Sequence, residues 1–281
     1  MFDIPYTKWS GNIGDDIIAY SAYYQLCKCG LDKDIVEKPT LRENLYDLQS
    51  ENKNVVVGWM SHSDKNKLPD DMDRKSIIMY GIHLTNESRC RQLMQSCVEL
   101  GIEIGCRDTH TYNLCQKAGI KSYMSYCPTL LLDKCHVDGS NYCTVVDIYD
   151  ETIINHIKRT TGLEVNWITH RDYFNHYRTF SERMINAKRH LQMYAKSRFV
   201  ISNRLHVMLP CLSMGVPCLF YRHENGWDRS RLSDYYPFFN MFDNMDQLRQ
   251  FDLNDIKNKD ISKLTSNKNK LVQFITGGNQ T

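Results

Sequence analysis

Arg204 and His206, separated by one leucine, are the residues of this chain best placed to do chemistry. A short apolar run, Phe199-Val200-Ile201, ends in Ser202-Asn203. Arg204-Leu205-His206 follow, and a second apolar stretch runs on to Gly215-Val216-Pro217. The pattern reads as strand, turn, helix and strand. It sets a guanidinium and an imidazole at the carboxyl end of a strand, where α/β sheets hold their ligands. Helix-start N–H groups, a fixed cation and a titratable ring together suit an anionic, phosphate-bearing substrate.

Three other stretches carry similar chemistry. In Gly11-Asn12-Ile13-Gly14-Asp15-Asp16, two glycines allow a tight turn and close backbone approach to a ligand. Asp15 and Asp16 have the chemistry of a base or of a group that orients a hydroxyl. They are equally what a helix dipole favours in a first turn. At most a short strand within residues 2–6 precedes this loop, so it is not a dinucleotide fingerprint. Cys106-Arg107-Asp108-Thr109-His110-Thr111 sets Arg107 at the end of another strand, with Asp108 or Thr109 as a helix cap. Cys127-Pro128-Thr129 reads as a turn. Residues 221–231 (YRHENGWDRSR) place Arg222, His223, Asp228, Arg229 and Arg231 beside Trp227, either as a solvated loop or as a substrate clamp.

The elements that must position these groups alternate. Helical periodicity covers 17–27, 89–100, 109–118, 151–161, 181–197 (with Ser181 as N-cap) and 268–275. Strands are expected at 55–59, 76–80, 102–106, 123–132, 143–148, 163–169 and 199–201, with another after Pro217. Alternation with short glycine-stopped connections argues for an α/β fold with parallel sheets. The polar stretch 133–142 divides two such sets. Two Rossmann-like domains are therefore expected, residues 1–136 and 137–281, with the active site in the cleft between them and the terminal segment packing back on the first.

Composition narrows the class. The 281 residues are 42% hydrophobic and 24% charged, and the formal charge of +2 argues against nucleic-acid or polybasic membrane binding. Eleven cysteines, an odd number without a C-x-x-C pair, read as free buried thiols and not as disulfides or a zinc site. No metal is expected. Residues 1–10 lack an apolar leader, and the longest apolar run, 205–221, is broken by prolines and glycine. A cytoplasmic protein without a membrane span is expected, and a homo-oligomer is compatible with the pattern.

Taken in order, GNIGDD, RDTHT, CPTLLL and SNRLHVMLPCLSMGVPCLFY resemble the polysaccharide pyruvyl transferase family, over about residues 11–231. The resemblance implies a GT-B-like pair of domains and a metal-independent enzyme without a cofactor. Such an enzyme moves the pyruvyl group of phosphoenolpyruvate onto a sugar as a ketal. His206 would be the general acid and Asp15 a second catalytic group. Arg107, Arg204 and Leu205 would hold the donor, and Asn12 and Gly14 would face the carbohydrate acceptor. Relatives carry a lysine shortly after the strand that follows the histidine motif; Arg222 stands there instead. Two other functions fit the same architecture: a glycosyltransferase using a nucleotide sugar, and a non-catalytic carbohydrate-binding relative.

Overall fold

A computed structural model describes residues 1–60, 66–137, 140–222 and 232–278. Its strands are β1 (Phe2–Asp3), β2 (Lys53–Met60), β3 (Ile77–Leu84), β4 (Ile104–Cys106), β5 (Ser122–Met124), β6 (Tyr142–Val146), β7 (Glu164–Ile168), β8 (Val200–Ser202), β9 (Cys218–Tyr221) and β10 (Asn240–Phe242). They form two five-stranded parallel sheets, ordered β1-β2-β3-β4-β5 and β10-β9-β8-β6-β7. In the second sheet the chain leaves β6 for β7 on one side, then crosses to β8 on the other. That reversal opens a crevice between the carboxyl ends of β6 and β8. Arg204 follows β8 at this point.

The helices are α1 (Ile13–Lys28), α2 (Glu87–Leu100), α3 (Thr109–Lys117), α4 (Glu151–Thr161), α5 (Phe180–Lys196), α6 (Leu205–Met214), α7 (Met245–Leu248) and α8 (Lys268–Thr276). One core runs from Val55, Val57 and Tyr80 of the first sheet, through α1, α5 and α6, to Val146, Val200 and Phe220 of the second. Helix α1 can serve both sheets because Ile17, Ile18, Ala19 and Ala22 are all fully buried, leaving it apolar nearly all round. Leu93 and Cys97 of α2 and Cys115 of α3 cover the outer face of the first sheet; Ile153 and Ile157 of α4 cover that of the second. Helix α8 lies against the first sheet. Lys270 pairs with Glu103 at 3.0 Å, and the Lys53 ammonium donates to the Phe274 carbonyl at 3.1 Å.

Several elements differ from expectation. Helix α1 begins at Ile13, because Asn12 caps it through a 3.1 Å bond to the Gly14 N–H. Helix α5 is capped by Thr179 in a capping box with Glu182, and Ser181 lies inside it. The strand expected over 123–132 stops at Met124. Tyr126 takes a positive φ of 58°, and Pro128 opens a 3-10 turn to Leu131. Strand β10 and helix α7 were not anticipated. All eleven cysteines are unpaired, eight of them buried.

Candidate active site

His206 stands at the start of α6, whose N-cap is Arg204. The turn before it is fixed by Ser202, which donates to the Val146 carbonyl at 3.1 Å and accepts from the Arg204 N–H at 3.0 Å. Pro210 sits four residues beyond His206. It offers no N–H to the His206 carbonyl, and its ring crowds that carbonyl. His206 accordingly departs from helical geometry, with φ −84° and ψ 17°. His206 as a whole is 9% exposed.

Gly14 packs against this ring. A Cβ built there would lie 3.2 Å from both Nδ1 and Cβ of His206 and 3.1 Å from Asn12 Oδ1. The glycine loop is pinned from outside α1. The Ile13 N–H donates to the His170 carbonyl at 2.9 Å, the Asp172 N–H donates to the Gly11 carbonyl at 2.7 Å, and Asn12 bridges to Arg171. His170 is fully buried, and burial, with the neighbouring His190 and Arg204 charges, pushes its imidazole down to about 3. It is therefore neutral where it braces the loop.

The two aspartates of the loop diverge. Asp16 is buried against α5, accepting from Arg183 at 2.9 Å and from Asn175 at 2.7 Å. Burial outweighs the arginine and lifts its carboxyl to about 6. It ties α1 to α5. Asp15 accepts from Ser10 Oγ at 2.5 Å and keeps 12% of its side chain exposed, 3.9 Å from an Arg42 nitrogen.

Arg107 comes from the first sheet, immediately after β4, and is 1% exposed. Its Nη1 reaches 3.4 Å from His206 Nε2, so the ends of β4 and β8 meet at one place. The backbone here is held by the Tyr235 hydroxyl, which donates to the Arg107 carbonyl at 2.6 Å. Asp108 caps α3 by accepting from the Thr111 N–H at 2.9 Å and lies 2.6 Å from His83 Nδ1. Burial alone would raise this carboxyl. The His83 bond, the His83 and Arg107 charges and the Thr111 N–H together bring it down to about 2.

Arg42, which no motif marked, completes the group. Its side chain is fully buried against β2, where Gly58 at φ 100° leaves the space. A Cβ on Gly58 would fall 2.8 Å from Arg42 Nη1. Burial is the largest influence lowering the Arg42 pKa; Asp15 opposes it, and the nearby Arg107 charge adds to it. Nε, Nη1 and Nη2 of Arg42 and Nε and Nη2 of Arg107 are all buried without a hydrogen-bond partner. Buried donors are almost always paired, and each one left unpaired costs about 1–3 kcal/mol. Five such nitrogens on two neighbouring cations make a site that an anion would complete.

Asn12, Gly14, Asp15, Arg107 and His206 are thus brought together. Leu205 packs its side chain into the shared core. Arg204 turns to Asp147 at the end of β6, pairing through Nε at 2.8 Å with its side chain one-third exposed. Arg222 forms a two-pronged pair with Asp243, on a surface hollow also lined by Gln247 and Phe251. The clamp expected over 221–231, with His223, Asp228, Arg229 and Arg231, lies outside the described residues after Arg222. Among the described residues no group of three or more His, Cys, Asp or Glu is arranged to hold a metal ion, and no helix is long and apolar enough to cross a membrane.

The family model for polysaccharide pyruvyl transferase matches residues 12–225, a span that holds Asn12, Arg42, Arg107 and His206. The chain belongs to the polysaccharide pyruvyl transferase family. Among solved structures it is similar to a functionally uncharacterised protein from Klebsiella pneumoniae, with a TM-score of 0.52 and 12% identity over 87% of this chain and 92% of that one. At that identity the likeness concerns the fold alone. No curated protein matches the chain.

Proposed function

We propose that this pyruvyl transferase uses phosphoenolpyruvate as donor and a sugar diol as acceptor, forming a pyruvate ketal in a GT-B-like cleft between residues 1–136 and 137–281. The observation that carries the reading is the pair of buried guanidiniums, Arg42 and Arg107, with five nitrogens that lack a hydrogen-bond partner, beside an imidazole; their ion-pair partners Asp15 and Asp108 stand off at 3.9 and 3.8 Å. Phosphoenolpyruvate offers a carboxylate and a phosphate, each matched to a guanidinium fork. Arg204, already paired with Asp147 at the carboxyl end of β6, is assigned to the donor as a third group. His206, at the helix start, delivers its proton to the methylene carbon of the enol, which becomes a methyl group. The adjacent carbon becomes oxocarbenium-like, and a sugar hydroxyl adds to it while Asp15 receives the hydroxyl proton. Phosphate then leaves with its bonding pair and takes the proton held on Asp15, a second hydroxyl closes the ketal, and its proton returns to the imidazole, so that both groups regain their starting states. Neutralising the donor's charge and supplying one proton are tasks these side chains can perform. Arg107 Nη1 lies 3.4 Å from His206 Nε2, so an anion held by Arg107 lies beside the ring that supplies the proton. An anion seated between them favours the imidazolium that the reaction needs.

Phosphate release from phosphoenolpyruvate should require a sugar acceptor and fall on the order of 10²–10⁴-fold in His206→Ala. The product should carry the fixed mass increment of a pyruvate ketal. A folded His206→Ala protein with full activity would remove His206 from the acid role. The family match does not favour a nucleotide-sugar glycosyltransferase; stabilisation by a nucleoside diphosphate but not by phosphoenolpyruvate would restore that alternative.

A further inference from the structure

Next to the glycine loop the chain leaves four large aromatic side chains in solvent: Trp9 (69% exposed), Tyr173 (75%), Phe174 (73%) and Tyr177 (77%). They come from two segments far apart in sequence that are laced together. Asp172 N–H bonds to the Gly11 carbonyl at 2.7 Å, and Asn175 reaches from one segment to the Ser10 carbonyl at 3.2 Å and to Asp16 at 2.7 Å. Trp9, His176 and Tyr177 form a cluster, and the exposed Tyr173 and Phe174 precede it in the same segment. Trp9 stacks on His176 with centroids 6.3 Å apart, His176 lies 3.9 Å from the Tyr177 ring, and the Lys8 ammonium sits 5.3 Å over Trp9. Exposed apolar clusters with polar rims mark interaction surfaces.

We infer that Trp9, Tyr173, Phe174 and Tyr177 form a stacking platform for pyranose rings of the acceptor glycan, leading into the Asn12–Asp15 loop. This inference rests on the sugar-acceptor function proposed above. A pyranose presents an apolar C–H face, which suits the negative face of an aromatic ring, and hydroxyl edges, which suit lysine, histidine and phenol. Continuity fixes the occupant. The backbone that carries the rings is the backbone bonded to Gly11 and Ser10, and Ser10 itself donates to Asp15. A chain of sugars lying on the platform is thereby carried on the same backbone as the loop that holds Asp15. The whole chain carries only +2, which does not supply the polybasic charge that selects an anionic membrane.

The test uses the full-length protein, labelled at one surface lysine on average, on an array of neutral hexose oligosaccharides. Wild type should retain a subset of the array without any donor present. Trp9→Ala and Tyr177→Ala should each weaken retention on the order of 10-fold, and the two together by more. Their phosphoenolpyruvate-induced shift in melting temperature should match that of wild type. Turnover should show a raised KM for glycan with kcat little changed. Four outcomes would overturn the platform: no glycan retained by wild type; equal retention by the variants; loss of binding to phosphatidylserine vesicles instead of glycans; or loss of a dimer in light scattering. If phosphoenolpyruvate fails to stabilise wild type while the glycan results hold, the donor assignment falls and the platform stands.

Discussion

Replacing Arg42 by methionine should make the unliganded protein more stable and nearly deaf to phosphoenolpyruvate. Arg42 is fully buried, none of its three guanidinium nitrogens has a hydrogen-bond partner, and Asp15 stands off at 3.9 Å. Burial works against the charge, and Arg107 repels it. Methionine has similar length and no desolvation cost, and exchanging poorly compensated buried ions for apolar side chains often stabilises by about 1–4 kcal/mol. Asp15 loses a neighbour but keeps its Ser10 bond and some contact with water, so the lower half, about 1–2 kcal/mol, is expected. In a chain of this size that raises the melting temperature by about 2–8 °C. The donor response moves the other way. Wild type at a donor concentration of 100 Kd gains about 2.7 kcal/mol. Losing charge-assisted bonds worth about 2–3 kcal/mol weakens Kd roughly 30–150-fold, and the gain at the same concentration drops to about 0.3–0.9 kcal/mol. Differential scanning fluorimetry with and without phosphoenolpyruvate reads both numbers. Arg42→Lys, which keeps charge but not the fork, should fall between. A variant that is destabilised by about 2 kcal/mol or more yet keeps the full donor shift would refute this account and make Arg42 a structural partner of Asp15.

Gly14→Ala should cut kcat about 10–100-fold while stability stays within about 1 kcal/mol, because the new methyl presses on the His206 ring at 3.2 Å although alanine suits a helix better; steady-state kinetics and melts check it. Pro210→Ala restores an N–H for the His206 carbonyl and should raise stability by up to about 3 kcal/mol, with kcat lowered as the ring rotates toward regular helix geometry. The Asp108 carboxyl, brought down to about 2, adds stability that is present above its ordinary value of 3.8 and is lost as pH falls through 2. The window is worth about 2 kcal/mol, and Asp108→Asn should flatten denaturation midpoints across pH 4 to 2 while lowering them at neutral pH.

Legibility followed how locally each feature is specified. Arg107 and His206 stand where an apolar run breaks into polar residues and a helix begins, so strand end and side chain are read from adjacent positions. Arg42 lies in a stretch without periodicity, and its burial depends on the space left by Gly58 on β2. Nothing in either segment announces the other. Arg222 illustrates the same limit. Its place after β9 is visible, but its partner Asp243 is delivered by β10, three residues long and too short to alternate. The cap of α5 is legible in the capping-box spacing of Thr179 and Glu182, which Ser181 lacks because Met184 stands three residues beyond it.

The two halves meet chemically as well as sterically, and this explains why the loop motif accompanies the histidine motif. His206 belongs to the second sheet's helix layer, yet it touches Gly14 of α1 and Arg107 of the first sheet. Asp16 fastens α1 to α5 from behind, at the cost of a carboxyl lifted to about 6, while its neighbour Asp15 stays at the surface of the site. The Gly14-Asp15-Asp16 sequence therefore gives three consecutive residues three surroundings: clearance for the ring, a partly exposed carboxylate near Arg42, and a buried brace. A helix turn separates such side chains by about 100° each, which is why adjacent residues can face three different surroundings.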